Sequence, residues 1–367
     1  ASQFWTQHVE SITTIAEATQ ALEAYYHALA IADYAAAAEV LLNSRHNQWG
    51  QHLTLGSTLY RMGLLQPMMV AIPTLLPHLP DDQRASELQN ILADVYWIAG
   101  KIHAATSLQK QAQAIARHGL DNAKRNADDA HAIYCWRMIE VDALLSLGLY
   151  HLDLWELAEA AQYFQAVITA AEGTAHQSWA DKAKLCLALV ASHSLHDERI
   201  DLAHLSADQS PSALATALAE QAYREIADTS RPEYTGRFAF FIQLLAQTYT
   251  NLGNAERATE LYERAIAFAT ESHYVQVKAK ALLGWGQLLR QFDDLDLARQ
   301  NIHTALELFE DLGAQSDLAE AHLQLGLVHQ ASKSIAMAQT HLAAAIQIFE
   351  AMQAPRQVAK VQAAVRA

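Results

Sequence analysis

The chain has 367 residues, of which 51% are hydrophobic, and only 13 are glycine and 7 proline. This composition offers much apolar surface and few helix-breaking residues, which argues against extended disorder. Acidic residues outnumber basic ones 40 to 25, giving a formal charge of -15, and no basic run could neutralise several phosphates, so nucleic acid is excluded as an expected partner.

The beginning of the chain shows no targeting signal. Residues 1–10 lack the basic start and apolar run of a secretory signal, and no stretch reaches the roughly 18 apolar residues of a membrane span. Cys135 and Cys186 lie in apolar stretches and are expected to behave as small hydrophobic residues. We therefore expect a cytoplasmic protein without membrane insertion, and the pattern leaves its oligomeric state open.

A helical-hairpin pattern recurs from the N-terminal region onward. Small residues alternate with aliphatic or aromatic ones at the spacing of a helix face, and turn residues separate the helices. The matches in chain order are Asp33, Tyr34, Ala37 and Leu41; Gly56, Leu59, Gly63, Met68, Ile72 and Leu75; Ala93, Tyr96, Gly100, Ala105 and Ala112; Gly148, Ala160, Phe164 and Val167. Each set predicts one unit of stacked helices.

Three segments interrupt this pattern. Four prolines between Pro67 and Pro80 predict a short helix with Pro67 in its first turn. The stretch 197–211 lacks helical periodicity and predicts a long loop inside a repeat, with helix resuming at Ser212. An extended connection is expected at 229–236, either a boundary between arrays 1–228 and 229–367 or an ordinary helix connection ended by a proline.

The C-terminal units are the most regular. Ala258, Ala298 and Ala338 recur every 40 residues. A small residue lies twelve positions before each of these alanines: Ala246, Gly286 and Gly326. A bulky residue lies four positions after each of them: Tyr262, Ile302 and Leu342. This spacing predicts a close packing seam between two helices of each hairpin, with turns at 251–254 and 293–294.

The unit formed by Ala246, Tyr249, Gly253, Ala258, Tyr262 and Ala265 resembles the tetratricopeptide repeat family. The resemblance implies an all-α, right-handed solenoid of about seven antiparallel helix hairpins. Because the period is about 40 residues and not the 34 typical of the family, the chain is similar to the long-repeat variant in sensor arms of bacterial signalling ATPases and in polarity scaffolds.

No catalytic motif is found. The sequence has no phosphate-binding glycine loop and no serine elbow, and the pairs Asp81-Asp82, Asp128-Asp129 and Asp293-Asp294 stand where helices are expected to start. His193, His196 and Asp197 offer only a weak metal pattern. We expect no enzyme, no cofactor and no metal site.

The resemblance places binding residues on the first helix of each hairpin, facing the concave side. The candidates for partner binding are Asn90, Asp94, Trp97, Lys182, His193, Phe240, Gln243, Gln247, Asn251, Lys280, Gln287 and Arg290. Cationic residues are too scattered for a carboxylate clamp, whereas amides such as Gln243 and Gln247 suit a peptide backbone.

The expected function is therefore a scaffold or adaptor that binds a partner peptide or helix in its groove. The alternative is a sensor arm of a larger signalling ATPase or transcription regulator.

Overall fold

The computed structural model describes residues 11–47, 52–126, 130–195, 210–226 and 232–366. This part of the chain contains seventeen α-helices and three short strands. The first helices are α1 (Ile15–Ala30), α2 (Tyr34–Leu42), α3 (Leu55–Arg61), α4 (Leu65–Leu75), α5 (Gln83–Ile98), α6 (Ile102–Asn126), α7 (Ala130–Asp153), α8 (Leu157–Ala171) and α9 (Gln177–His193). The remaining helices are α10 (Pro211–Ile226), α11 (Pro232–Asn251), α12 (Ala255–Glu271), α13 (Val275–Gln291), α14 (Leu295–Leu312), α15 (Gln315–Ala331), α16 (Ile335–Ala351) and α17 (Pro355–Arg366).

Consecutive helices pair as antiparallel hairpins that stack along the chain, so the predicted all-α solenoid is confirmed. The described residues form eight hairpins, from α1/α2 to α15/α16, and α17 covers the last of them. This is one more hairpin than the seven for which the sequence pattern gave a set of matching residues, and the additional one is α9/α10. No helix in the described ranges combines the length and the apolar character that a bilayer crossing requires.

A small sheet that the sequence pattern did not predict lies near the N-terminal end. Strand β1 (Ser11–Ile12) pairs in parallel with β2 (Ser44–Asn47), which pairs antiparallel with β3 (His52–Thr54). Strands of two to four residues are too short to show the alternation that marks a longer strand.

The packing seam is built as the 40-residue period predicts. Ala258, Ala298 and Ala338 are buried at successive hairpins. A Cβ atom added at Gly286 would lie 2.4 Å from Ile302 Cγ1, well inside van der Waals contact. Gly286 therefore allows α13 and α14 to approach at a distance that no larger residue permits.

The predicted turns are confirmed where the structure describes them. Gly253 has a φ of +75° after α11, and the Asn254 side chain accepts a hydrogen bond from the Arg257 backbone N–H at 3.2 Å. Asp82 and Asp294 cap α5 and α14 in the same way. Asp128 and Asp129 lie outside the described residues.

The predictions for the three interrupted segments agree with the structure only in part. Helix α4 is short, with Pro67 in its first turn, as predicted. The prediction of an extended connection over 229–236 is wrong from Pro232 onward, because α11 begins there. A proline fits the first position of a helix, since the N–H that it lacks has no intrahelical partner there. Of the predicted loop, 197–209 lies outside the described residues and Pro211 begins α10.

The superhelix curves until its C-terminal end contacts the turns of its N-terminal half. Arg356 of α17 donates to both carboxylate oxygens of Glu159 at 3.1 and 3.0 Å, and His103 lies 3.2 Å from the carbonyl oxygen of Gln353. The Gln357 side chain donates to the carbonyl oxygen of Asp153 at 2.8 Å. These contacts cover part of the concave face, so the long open groove expected from the sequence becomes a partly open cavity.

Candidate functional site: a polar cavity between the inner helices

A cavity of about 530 Å³ lies on the inner side of the superhelix. Apart from Trp155, which lies in the α7–α8 turn, its wall comes from six helices, α7, α9, α11, α13, α15 and α17. Each of these is the inner helix of its unit, so the concave side is formed as the repeat pattern implies. The volume falls in the range of small-ligand sites.

Amide side chains are the commonest polar groups in the wall. They are Gln243, Gln247, Asn251, Gln287, Gln291, Gln324 and Gln357. Several of them already contact each other or the side chains of neighbouring helices. Gln247 Nε2 lies 3.5 Å from Gln287 Oε1, and Asn251 donates to Ser192 Oγ at 2.9 Å. Since an amide both donates and accepts, such a wall suits a ligand that also does both.

The wall also carries three carboxylates and three cationic groups, most of them paired. Lys280 donates to Asp317, and both side chains are largely buried. Lys360 donates to Glu320 Oε2 at 2.9 Å, and Gln324 donates to the other oxygen of Glu320 at 2.8 Å. These pairs bring positive and negative groups from α13, α15 and α17 to one side of the cavity.

Burial and neighbouring charges set the protonation of these groups. Burial acts to raise the pKa of Glu320, but Lys360 and the Gln324 hydrogen bond outweigh it, so the pKa lies below its usual value. Burial acts to lower the pKa of Lys280, but the carboxylates of Asp317 and Asp153 raise it overall. Glu320 and Lys280 are therefore both charged at neutral pH.

Asp153 has the opposite balance. Burial, with added repulsion from Asp317 and Glu320, raises the pKa of Asp153 to about 6 despite the attraction of Lys280. Its Oδ2 accepts a hydrogen bond of 2.7 Å from the indole N–H of Trp97. Asp153 is thus a carboxylate whose charge is poorly compensated within the folded chain.

Seven of the twelve candidate residues predicted from the sequence come together around the cavity: His193, Gln243, Gln247, Asn251, Lys280, Gln287 and Arg290. The other five, Asn90, Asp94, Trp97, Lys182 and Phe240, do not line it. Trp97 is only 7% exposed and packs on Tyr150 and Phe240. It acts on the cavity through its hydrogen bond to Asp153.

Asp94 and its neighbours form a second polar cluster in the N-terminal half. Its carboxylate accepts hydrogen bonds from Tyr150 at 2.7 Å and from Tyr60 and Ser146 at 3.2 Å. Burial and the nearby Asp142 nevertheless raise the pKa of Asp94 to about 6.

Lys182, another candidate that does not line the cavity, lies over the Trp179 and Phe241 rings, at 5.1 and 5.4 Å from their centroids.

Sequence reasoning missed four charged residues of the wall: Asp153, Asp317, Glu320 and Lys360. A signal was present for two of them. Glu320 and Lys360 follow Phe240 and Lys280 at the 40-residue period, so all four occupy one register position on successive inner helices.

The fold and the cavity define the class of the protein as a helical-repeat protein with a polar cavity on its concave side. Residues 241–271, which cover most of α11 and all of α12 through Glu271, match the family model of the tetratricopeptide repeat. The chain therefore carries a tetratricopeptide repeat within a tetratricopeptide-like solenoid. No curated protein sequence matches the chain.

Two solved structures share this fold. The Rap conjugation gene regulator of the plasmid pLS20, in complex with the Phr* peptide, is similar at a TM-score of 0.58 with 14% identity, covering 93% of this chain and 78% of the other. A Rap protein complexed with Competence and Sporulation Factor is similar at a TM-score of 0.54 with 13% identity, covering 97% and 81%. BtubC from P. vanneervenii matches at a TM-score of 0.44 with 19% identity, covering 67% and 92%.

Proposed function

We propose that this protein is a non-catalytic adaptor that binds a short peptide segment of a partner in the cavity between its inner helices. The observation that carries this proposal is the amide-rich wall: four of the six inner helices around the cavity contribute side-chain amides to it. Main-chain N–H and C=O groups of an extended peptide match side-chain amides without demanding a particular residue sequence.

The size and charge of the cavity narrow the ligand class. A volume of about 530 Å³ accepts a few residues in extended form, whereas a helix with side chains is about 10–12 Å across. The three cationic groups, Lys280, Arg290 and Lys360, are balanced by three carboxylates. This balance disfavours a polyanion and leaves a peptide as the better match, so the helix option of the sequence-based expectation is the weaker one.

The similar structures support the same ligand class. One of the two Rap structures holds the Phr* peptide. Their identity to this chain is low, so the support concerns the kind of architecture that accepts a peptide. The contacts that would hold a peptide here come from residues of this chain.

A pair of amides offers the direct test. Gln247 and Gln287 lie within reach of each other on α11 and α13 and both line the cavity. Gln247→Leu with Gln287→Leu removes two hydrogen-bonding groups, each worth about 0.5–1.5 kcal/mol, so peptide affinity should fall roughly 5- to 150-fold. The matched control is Gln300→Leu with Gln339→Leu on exposed faces of α14 and α16.

The assay uses the full chain and a synthetic pool of peptides of three to six residues. Peptides that remain with the protein through gel filtration are identified by mass, and their affinities are measured by calorimetry. Equal retention by the cavity variant and the control variant contradicts the proposal, provided that both keep the helical circular dichroism of the native chain.

The closure of the superhelix supports a second candidate, a regulatory sensor arm. The cavity lies where α17 meets the α7–α8 turn, so a ligand there contacts both the N-terminal and the C-terminal halves. Binding would then change how the halves are held together, which an attached output domain could detect. Small-angle scattering with and without a retained peptide tests this: an unchanged radius of gyration favours the adaptor.

A further inference from the structure

Two charged groups of the cavity wall stand outside the ion pairs. Asp153, at the end of α7, receives one hydrogen bond on its carboxylate, from the neutral indole of Trp97. Arg290, near the end of α13, makes no hydrogen bond or ion pair with any residue that the structure describes, and its Nε is buried without a partner.

The other charges of the wall act on these two without a direct ion pair among the described residues: Lys280 attracts Asp153, and Glu320 attracts Arg290. Lys280 is held by Asp317, and Glu320 is held by both Lys360 and Gln324. Lys360 lies in addition over the Trp155 ring, 4.1 Å from its centroid. Among the described residues, the wall therefore contains two direct cation–carboxylate pairs, and Asp153 and Arg290 belong to neither of them.

A buried charge without a partner is unfavourable, and the pKa of each group responds to this. Burial raises the pKa of Asp153 to about 6 and lowers the pKa of Arg290 from its usual value. A ligand that brings an opposite charge to each group would remove both penalties at once, because desolvated opposite charges attract strongly.

We propose that the cavity selects a peptide with one cationic and one anionic group, the cation bound by Asp153 and the carboxylate by Arg290. This inference rests on the proposed peptide-binding function and deepens it. The amides Gln247 and Gln287 lie on α11 and α13 and would bind the peptide backbone between the two charged groups. The cation is an N-terminal ammonium or a Lys or Arg side chain, and the anion is a C-terminal carboxylate or an Asp or Glu side chain.

Four peptide pools of three to six residues distinguish these sources: free ends, N-acetylated, C-amidated, and capped at both ends. Gel filtration with the full chain and mass analysis identify what is retained. We expect retention from the free-ended pool, from acetylated peptides only when they contain Lys or Arg, and from amidated peptides only when they contain Asp or Glu.

Two outcomes overturn the inference in different ways. Equal retention of doubly capped peptides without charged side chains contradicts the charge selection and leaves peptide binding intact. Retention from no pool contradicts the proposed function and this inference with it.

Variants assign each charge to its residue. Asp153→Asn keeps an oxygen for the Trp97 indole, and it should lower affinity for free-ended peptides at least tenfold and abolish the effect of acetylation. Arg290→Gln should do the same for amidation. The controls are Asp296→Asn and Arg299→Gln on α14, whose side chains are 89% and 44% exposed. Unchanged preferences in both cavity variants refute the assignment.

Discussion

Replacing Lys280 by methionine tests whether the charges of the cavity depend on one shared cation. The Lys280 ammonium donates to Asp317 and also attracts Asp153, and the side chains of Lys280 and Asp317 are only 11% and 12% exposed. Methionine keeps the length and apolar stem of the side chain but leaves two buried carboxylates without their cation. Removing one partner of a buried pair costs about 3–5 kcal/mol, so Lys280→Met should destabilise the fold by about that amount.

Replacing the partner of Lys280, in Asp317→Asn, should destabilise the fold less than Lys280→Met does. In Asp317→Asn the ammonium of Lys280 keeps Asp153 as a neighbour, and the new amide oxygen can still accept its hydrogen bond. The expected loss is about 1–3 kcal/mol, the range for a weakened hydrogen bond to a charged group. This asymmetry follows from the sharing of Lys280, and an isolated pair would not produce it.

The penalty in Lys280→Met should also depend on pH. Without Lys280 the pKa of Asp153 in the folded chain rises further above the ordinary 3.8, so the folded state binds more protons than the unfolded state at mildly acidic pH. The stability that is lost at pH 7.5 is therefore partly recovered at pH 5.

Urea unfolding followed by circular dichroism at both pH values measures these effects. Arg299→Gln in the exposed pair with Asp296 is the control and should cost no more than about 1 kcal/mol. A loss in Lys280→Met that is smaller than in Asp317→Asn, or that does not change with pH, would refute the shared-cation reasoning.

Three further predictions concern the frame of the site. Gly286→Ala places a methyl group 2.4 Å from Ile302 Cγ1, and urea unfolding should show a net loss of about 1–2 kcal/mol after the gain in helix preference; wild-type stability contradicts the seam. Burial and the neighbouring histidines lower the pKa of His341 to about 4, so the melting temperature should fall from pH 6.5 toward pH 4, and less in His341→Gln; equal falls are the negative result. Arg356→Gln breaks the half-exposed pair with Glu159 and should cost at most about 1 kcal/mol in thermal unfolding, whereas a larger loss would show that this pair controls closure.

The repeat architecture could be predicted because its signals are local. The seam around Gly286 and Ile302 joins residues 16 apart, and the caps at Asn254 and Asp294 bond to residues three positions away. A pattern of small, bulky and capping residues within one hairpin determines such contacts. Successive hairpins repeat the same contacts, so the solenoid follows from one unit.

The closure and part of the site could not be predicted in this way. Contacts such as Arg356 with Glu159 join residues 197 apart, and they depend on small rotations that accumulate over several hairpins. No local pattern encodes their sum. Asp153 was missed for a related reason: its partner Trp97 is 56 residues away on another inner helix, and neither residue repeats at the 40-residue period.

The 40-residue period explains why charges of opposite sign alternate along one register position of the cavity wall. Residues 40 apart occupy the same position on neighbouring inner helices, as with Gln247 and Gln287 or Glu320 and Lys360. Like charges at such a position would repel across the cavity wall, whereas alternating ones pair, and Lys280, Glu320 and Lys360 do alternate. Asp153 and Arg290 do not belong to this series, which attracts them through Lys280 and Glu320 without a direct ion pair to either. Under the proposal above, a bound peptide would supply the direct charge partners that the repeat does not provide at these two positions.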